Sequence, residues 1–423
     1  MTPAQQVVVV GAGPAGMMAA ARAAERGARV QLLERGPEPG RKLLMTGNGR
    51  CNLSNAAPAA QFLHAYGPAG RFLRTALATL DLRALTAWLA AHGIRTVQED
   101  HGRVFPADRR ARSVRDALVG ALHAAGAELL HGQRVEGLLI EDGRLLGVRT
   151  ADRVHAAGCV IVATGGLSYP ATGSTGDGYE LARQAGHAVH APYAAVTALR
   201  TVETWPGRLQ GTAARGAAVR TRIDGDATPG RHAGDLMWTH YGVSGPAVLA
   251  VSLAVTRALQ EGRSVVLEID LVASTPQDAL QADLKRMADS GSRHTVLRVL
   301  RERLPERTAR VLADVLALDP ALPVARCTRA ERVRIVQTLK CLPLRVAGPR
   351  PIAEAIVTGG GVAPDEVDPR TMESLRVPGL FFAGELLDAH GPTGGHNLHA
   401  ALATGYLAGE HAASRIHTAG GPC

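Results

Sequence analysis

Residues 7–16 read VVVVGAGPAG, and Glu34 closes a second apolar run, RVQLL, at residues 29–33. Four consecutive Val residues ahead of a glycine suit a strand buried on both faces, as in the middle of a parallel sheet. Gly11, Gly13 and Gly16 then form GxGxxG. The first glycine makes the tight turn, the second lets the backbone approach a pyrophosphate, and the third lets the next helix pack on the strand. Residues 17–26 (MMAAARAAER) are helix formers that end at Gly27, a natural stop. Strand, glycines, helix, second strand and an acid poised for a ribose hydroxyl constrain this end of the chain to a nucleotide-binding βαβ unit. By itself the motif is compatible with NAD or FAD.

At 423 residues the chain is long for one core, so two or three domains are expected. Residues before Val7 hold no basic stretch followed by an apolar one, so no signal peptide is expected. Apolar runs such as residues 246–255 are far short of a membrane span. Cysteines at 51, 159, 327, 341 and 423 form no CxxC pair and no metal-ligand spacing, which fits free thiols in a reducing cytoplasm. The net charge is +9, and residues 285–350 carry 15 basic against 6 acidic side chains, itself a net of +9. That segregation suits contact with an anionic polymer such as RNA, and equally suits the solvated faces of Arg-rich helices.

After Glu34 comes GRKLLMTGNGRCNLSN at residues 40–55, a loop rich in glycine and polar donors, with Lys42 and Arg50 adding positive charge. Such a loop can wrap a phosphate or the polar edge of a ring system. Cys51 within it reads either as a buried small hydrophobe or as a proton donor. Helical periodicity covers residues 71–91, Ser113 is expected to cap a helix to Ala125, and Asp142-Gly143 marks a hairpin. Residues 159–166 (CVIVATGG) are a short apolar strand returning beside the nucleotide, followed by the polar loop 168–178. From about residue 192 the texture turns β-rich, with LMWTHYGVSGP at 236–246. Residues 275–340 are almost wholly helical and carry the basic excess. Apolar strands ending in glycine turns return at 355–361 and 379–385. HGPTGGHNLH at 390–399 then opens a last helix, whose start offers free N–H groups to an anion or carbonyl oxygen. The expected fold is α/β: a discontinuous Rossmann-like nucleotide-binding domain (1–190 plus 345–423), a β-rich insert (191–275) and a helical insert (276–344).

The segments GAGPAG, GRKLLMTGNGRCNLSN, ATGGLSYPATGSTGDGYELA, LMWTHYGVSGPA, VTGGGVAPDEVDPRTMES and GLFFAGELLD followed by GPTGGHNLHAALATG together resemble the YhiN/BaiN-type bacterial flavoproteins. The resemblance spans essentially the whole chain and implies non-covalent FAD. It places Gly11, Gly13, Pro14, Ala15 and Gly16 at the pyrophosphate and Glu34, with Arg35 beside it, at the adenosine ribose. Lys42, Thr46, Gly47, Asn48, Cys51 and Asn52 run along the pyrophosphate toward the isoalloxazine, and Val135 joins the cofactor-binding set. Thr164 and Gly165 flank the nucleotide, and Gly384 and Glu385 the ribityl chain. Gly394, Gly395, His396, Asn397 and Leu398 take the pyrimidine end, where helix N–H groups stabilise negative charge on the reduced flavin. Two departures from the family pattern are Ser54, where Thr is common, and His396, where an aromatic such as Tyr is expected.

Activities in that family imply an oxidoreductase. Its members include reductases of conjugated C=C bonds in steroid-like acids, an aminoacetone oxidase and ribosomal RNA dihydrouridine synthases. The leading expectation is reduction of the uridine C5=C6 bond in 23S rRNA, with the RNA held through basic residues 285–350. The alternative is a small-molecule flavoenzyme acting on an unsaturated acid or an amine. C=C reduction needs a proton donor as well as a hydride, and Cys51, His240 and His396 are candidates by location. Each also has a purely structural reading. No second strand–GxGxxG–helix unit exists, since Gly359, Gly360 and Gly361 are consecutive and lead into Ala-Pro-Asp. NAD(P)H is therefore expected to dock only transiently as electron donor, or another donor serves. A monomer or homodimer with no metal and no membrane contact completes the expectation.

Overall fold

The computed structural model describes residues 5–227 and 230–419, and Cys423 lies outside them. β1 (Gln6–Val10), α1 (Pro14–Glu25) and β2 (Arg29–Glu34) form where the valine run, the glycines and the Ala-rich stretch require them. β3 (Glu128–His131), β4 (Cys159–Val162) and β5 (Leu380–Phe382) complete a parallel five-stranded sheet in the order β5-β4-β1-β2-β3. Val9 of β1 stands between Ile161 and Leu32 in register, and Val7, Val8 and Val9 are wholly buried. The chain leaves β1 toward β2 on one side, while β4 lies on the other. This reversal opens a crevice at the carboxyl end of β1, where nucleotides bind in such sheets.

α2 (His396–Ala419) packs directly on α1. A Cβ at Gly405 would fall 2.2 Å from the Ala15 carbonyl oxygen, and one at Gly409 would fall 2.3 Å from that of Ala19. The two helices thus touch backbone to backbone and run in the same direction. Arg22 closes the contact, with its Nε 2.6 Å from Glu410 and its guanidinium 4.6 Å from the Tyr406 ring centre.

The expected helix over 71–91 is two, Ala69–Thr79 and Leu82–Ala91, because Asp81 caps the second by accepting the Ala84 N–H at 2.7 Å. Ser113 is not a cap: its helix begins at Ala111, and its hydroxyl instead donates to Asp108. The hairpin of Val135–Glu141 with Arg144–Thr150 turns at Asp142 and Gly143, at φ of 48° and 72°, as Asp-Gly allows.

The described residues form two compact units, one up to Ala194 and again from Ile352, the other Ala195–Pro351. In the second unit six strands close into an antiparallel barrel. They are Ala213–Ile223, His232–Thr239, Gly242–Ser244, Leu199–Thr201, Leu342–Pro349 and Val265–Asp270, the last pairing back onto the first. Helices Gln277–Asp289, Val296–Arg301, Glu306–Leu316 and Arg329–Lys340 share the barrel's apolar core, where Trp238 and Leu267 join Leu312 and Ile335. The expected division into separate β-rich and helical inserts is corrected accordingly. Each helix has an apolar stripe that cannot stand alone and buries it in one core with the strands. Leu342–Pro349, expected partly in the nucleotide domain from 345, is a barrel strand whose alternate residues are buried.

Candidate cofactor site

The glycines divide into those the fold needs and one it does not. Gly11 has φ of +97°, and a Cβ there would lie 2.9 Å from the Ala163 carbonyl oxygen and from Thr164 Cα. At Gly16 a Cβ would lie 1.9 Å from the Gly11 carbonyl oxygen. Gly13 differs, since the nearest atom to its Cβ position is 4.0 Å away. It begins α1 with no side-chain cap, so the first-turn N–H groups face the crevice, an arrangement that suits a pyrophosphate. At the end of β4, Thr164 Oγ1 is buried with no hydrogen-bond partner among the described residues. An open Cβ position, an uncapped helix start and an orphaned hydroxyl are what a dinucleotide would fill.

Glu34 ends β2 with its carboxylate fixed by two backbone donors, the Ala12 N–H at 2.9 Å and the Gly36 N–H at 2.7 Å. Arg35 turns to Asp177 (3.0 Å) and the Thr175 hydroxyl (2.5 Å). Val135 opens its strand two residues after Gln133, whose N–H donates to the Glu34 carbonyl at 2.9 Å, so Val135 lies on the Glu34 side.

Lys42 donates to Glu385 at 2.5 Å and to the Ser168 hydroxyl at 2.7 Å. Glu385 also accepts from the Thr358 N–H at 2.7 Å and the Ser168 hydroxyl at 3.1 Å, while Thr358 Oγ1 accepts the N–H groups of Leu167 and Ser168 at 2.9 and 3.0 Å. One cation thus ties four distant segments together. Sequence reasoning missed Ser168 and Thr358; their hydroxyls inside glycine-rich runs were the available signal. Gly165 and Gly384 sit at φ of +74° and +76°, and the Gly384 N–H donates to Thr404 at 3.0 Å.

The loop after Lys42 folds by left-handed turns. Gly47, Asn48, Gly49 and Cys51 all have positive φ, and Thr46 Oγ1 donates to the Leu43 carbonyl at 2.7 Å. Asn52, with its amide nitrogen toward Val104 and Ser54, accepts the Gly395 N–H at 3.2 Å. A Cβ at Gly395 would fall 2.3 Å from the Ser54 carbonyl oxygen, and Asn55 donates to the Gly394 carbonyl at 3.4 Å. Loop 46–55 therefore lies against the start of α2. Asn397 spends its amide on its own loop, accepting from the Gly391 N–H (2.9 Å) and donating to the Gly391 and Pro392 carbonyls (2.8 and 3.0 Å). Its neighbour Leu398 packs on the core. Ser54 donates to or accepts from His399 Nδ1 at 2.7 Å, so the Ser that departs from the family pattern is itself engaged.

Of the three candidate proton donors, Cys51 and His396 belong to this site. Cys51 is wholly buried, which pushes its thiol up to about 12 although Thr46 hydrogen-bonds to it. His396 begins α2, stacks on Phe62 with ring centres 4.6 Å apart, and is driven down to about 4 by burial. It fills an aromatic role as a neutral ring. His240 lies on an exposed turn of the second unit, edge-on to Tyr241 at 4.8 Å.

A family model described as HI0933-like protein Rossmann domain matches residues 5–411. The 3-dehydro-bile acid delta(4,6)-reductase of Clostridium scindens is 31% identical, over 97% of this chain and 99% of its own. The ribosomal RNA dihydrouridine synthase of Escherichia coli is 30% identical, over 92% of this chain and 93% of its own. In fold, the chain is similar to 3-ketosteroid delta1-dehydrogenase from Sterolibacterium denitrificans, with a TM-score of 0.54 at 15% identity, covering 97% of this chain and 100% of that one. The chain belongs to the HI0933-like Rossmann family, a family of FAD-dependent oxidoreductases.

Proposed function

We propose that this protein binds FAD and reduces an electron-poor C=C bond, the C5=C6 bond of a uridine in 23S rRNA. The observation that supports FAD binding is the crevice at the end of β1, with open space at Gly13 and an unpartnered Thr164 hydroxyl, joined to a second helix start at His396. The reduction is supported by the relatives named as a delta(4,6)-reductase and a dihydrouridine synthase. Bound there, FAD supplies the hydride. The chain's own residues hold and orient it. The first turn of α1 takes the pyrophosphate, Glu34 a ribose hydroxyl, and the Lys42–Glu385–Ser168 network fixes the middle of the groove. The start of α2, braced by Asn52 and Asn397, faces the pyrimidine edge of the flavin.

The RNA reading is supported by the second unit's charge. Lys285, Arg293, Arg326 and Arg329 are exposed and carry no ion pair among the described residues. Others are neutralised, as Arg310 is by Glu306 at 2.7 Å. Phosphate contacts from such residues give salt-dependent affinity. Two relatives named as ribosomal RNA dihydrouridine synthases, at 30% and 28% identity, accord with it, and the proposal carries a cytoplasmic place of work with it. NAD(P)H is the proposed reductant, docking only transiently. A small unsaturated acid is the second reading, favoured by the 31% identity to a bile acid reductase.

Nucleoside mass spectrometry of 23S rRNA from cells with and without the gene tests the proposal. One dihydrouridine should disappear with the protein; an unchanged content overturns the RNA reading. Stopped-flow mixing with NADH and NADPH tests the donor, and turnover of an unsaturated bile acid tests the alternative.

A further inference from the structure

A tyrosine, two histidines and an aspartate meet beside the start of α2, outside every residue assigned above. The Tyr193 hydroxyl lies 2.9 Å from His390 Nε2, and the two rings stand edge to face with centres 5.7 Å apart. His390 Nδ1 lies 3.4 Å from Asp388, whose other oxygen is 2.7 Å from His190 Nδ1. His390 is buried, Tyr193 half-buried and His190 exposed.

The cluster's position ties it to both segments that carry the flavin end. Tyr193 lies in Val189–Val196, which pairs with Val357–Val362, and its ring covers Gly359, where a Cβ would fall 2.4 Å from Tyr193 Cζ. Gly359 follows Thr358, the residue that Glu385 holds. On the other side His390 precedes Gly391, where a Cβ would fall 3.1 Å from His396 Cβ. Asn397 clamps that same Gly391 through both its N–H and its carbonyl. The tyrosine hydroxyl is therefore held between two braced segments.

We propose that Tyr193 is the proton donor for the C=C reduction, with His390 and Asp388 as positioning residues. This rests on the C=C reading above. When His390 carries protons on both nitrogens, Nδ1–H faces Asp388 and Nε2–H donates to the tyrosine oxygen, leaving the phenolic proton directed away from His390. One carbon of the double bond accepts the hydride. The π pair then forms a C–H bond at its neighbour as the Tyr193 O–H bond breaks. The phenolate takes the Nε2 proton of His390, and once the reduced product has left, Nε2 regains one from solvent on the side of the half-buried Tyr193. Cys51 and His396 are fully or nearly buried, and each is held in its neutral form at pH 7.

The test uses the full FAD-loaded chain, reduced by dithionite under anaerobic conditions and mixed with either a uridine-containing 23S rRNA fragment or an unsaturated 3-oxo bile acid. Tyr193→Phe keeps the ring over Gly359, and thermal melting checks that it folds. Flavin reoxidation by whichever acceptor the wild type uses should slow on the order of 100-fold or more in the variant. Reoxidation by oxygen should be unchanged. His390→Gln should give an intermediate loss, because the hydroxyl remains. Before any reductant is added, the His390 ring ¹⁵N shift should differ between wild type and Tyr193→Phe. Equal reoxidation by the acceptor in wild type and Tyr193→Phe overturns the assignment alone. A wild type reoxidised by neither acceptor overturns the C=C reading and the assignment with it.

Discussion

Gly16 sits so close to Gly11 that a single methyl group on it would lie 1.9 Å from the Gly11 carbonyl oxygen, whereas the same group on Gly13 would meet nothing nearer than 4.0 Å. The two glycines of one motif therefore answer to different demands. Gly16→Ala should destabilise the FAD-free protein by about 1–3 kcal/mol, since backbone must move to admit the methyl group. Gly13→Ala should leave FAD-free melting within about 0.5 kcal/mol and weaken FAD binding tenfold or more. Calorimetry with and without FAD separates the two.

Lys42 and Glu385 each keep only 21% of their side-chain surface exposed and share Ser168 between them. Lys42→Met and Glu385→Gln should each cost stability, and the double variant less than their sum, with a coupling of about 1–2 kcal/mol. Denaturant titration of the four proteins measures it. Additive losses would mean that the pair does not hold the groove.

Burial holds His396 at about 4, against 6.5 for a free ring. Its folded value is depressed, so the stability it contributes is complete above pH 6.5 and is lost as the pH falls through about 4. Folding free energy should drop by roughly 3 kcal/mol across that window from this ring. His396→Phe keeps the stacking on Phe62 and should flatten most of the drop. Urea melts of the FAD-free protein at half-unit intervals of pH test the sign.

Asn397 holds Gly391 by two hydrogen bonds and Pro392 by a third. Asn397→Ala should cost about 1–3 kcal/mol through the buried groups it strands. Amide exchange at Gly391 should accelerate, while exchange in β1 should not. Loss of FAD without faster exchange at Gly391 would instead make Asn397 a direct ligand.

The β1–α1–β2 unit was legible because every signal in it is local: a valine run, three glycines at fixed spacing and an acid one strand later. The loop 46–55 was legible as a donor-rich turn, though not its docking on α2 through Asn52 and Gly395. Barrel closure was not legible, since Leu342–Pro349 pairs with Leu199–Thr201 from the far side of five α-helices and nothing local marks that partner. For the same reason the sequence reading began the returning nucleotide domain at 345, whereas the second unit runs on to Pro351. Lys42 and Glu385 were each placed at the cofactor but not joined to each other, because 343 residues separate them. Tyr193 had no signal at all: it stands in an ordinary strand, and only folding brings His390 to it.

The contact of α1 with α2 fixes a length as well as an interface. Ala15 meets Gly405, and Ala19 meets Gly409. Because α1 starts one residue before its contact and α2 nine before its own, the head of α2 stands about 12 Å beyond that of α1 along a common direction. Two positive helix ends are thereby mounted on one rigid gauge. Their spacing is set by the helical rise and by two missing side chains, not by any loop. A longer or shorter occupant than the dinucleotide would reach only one of them.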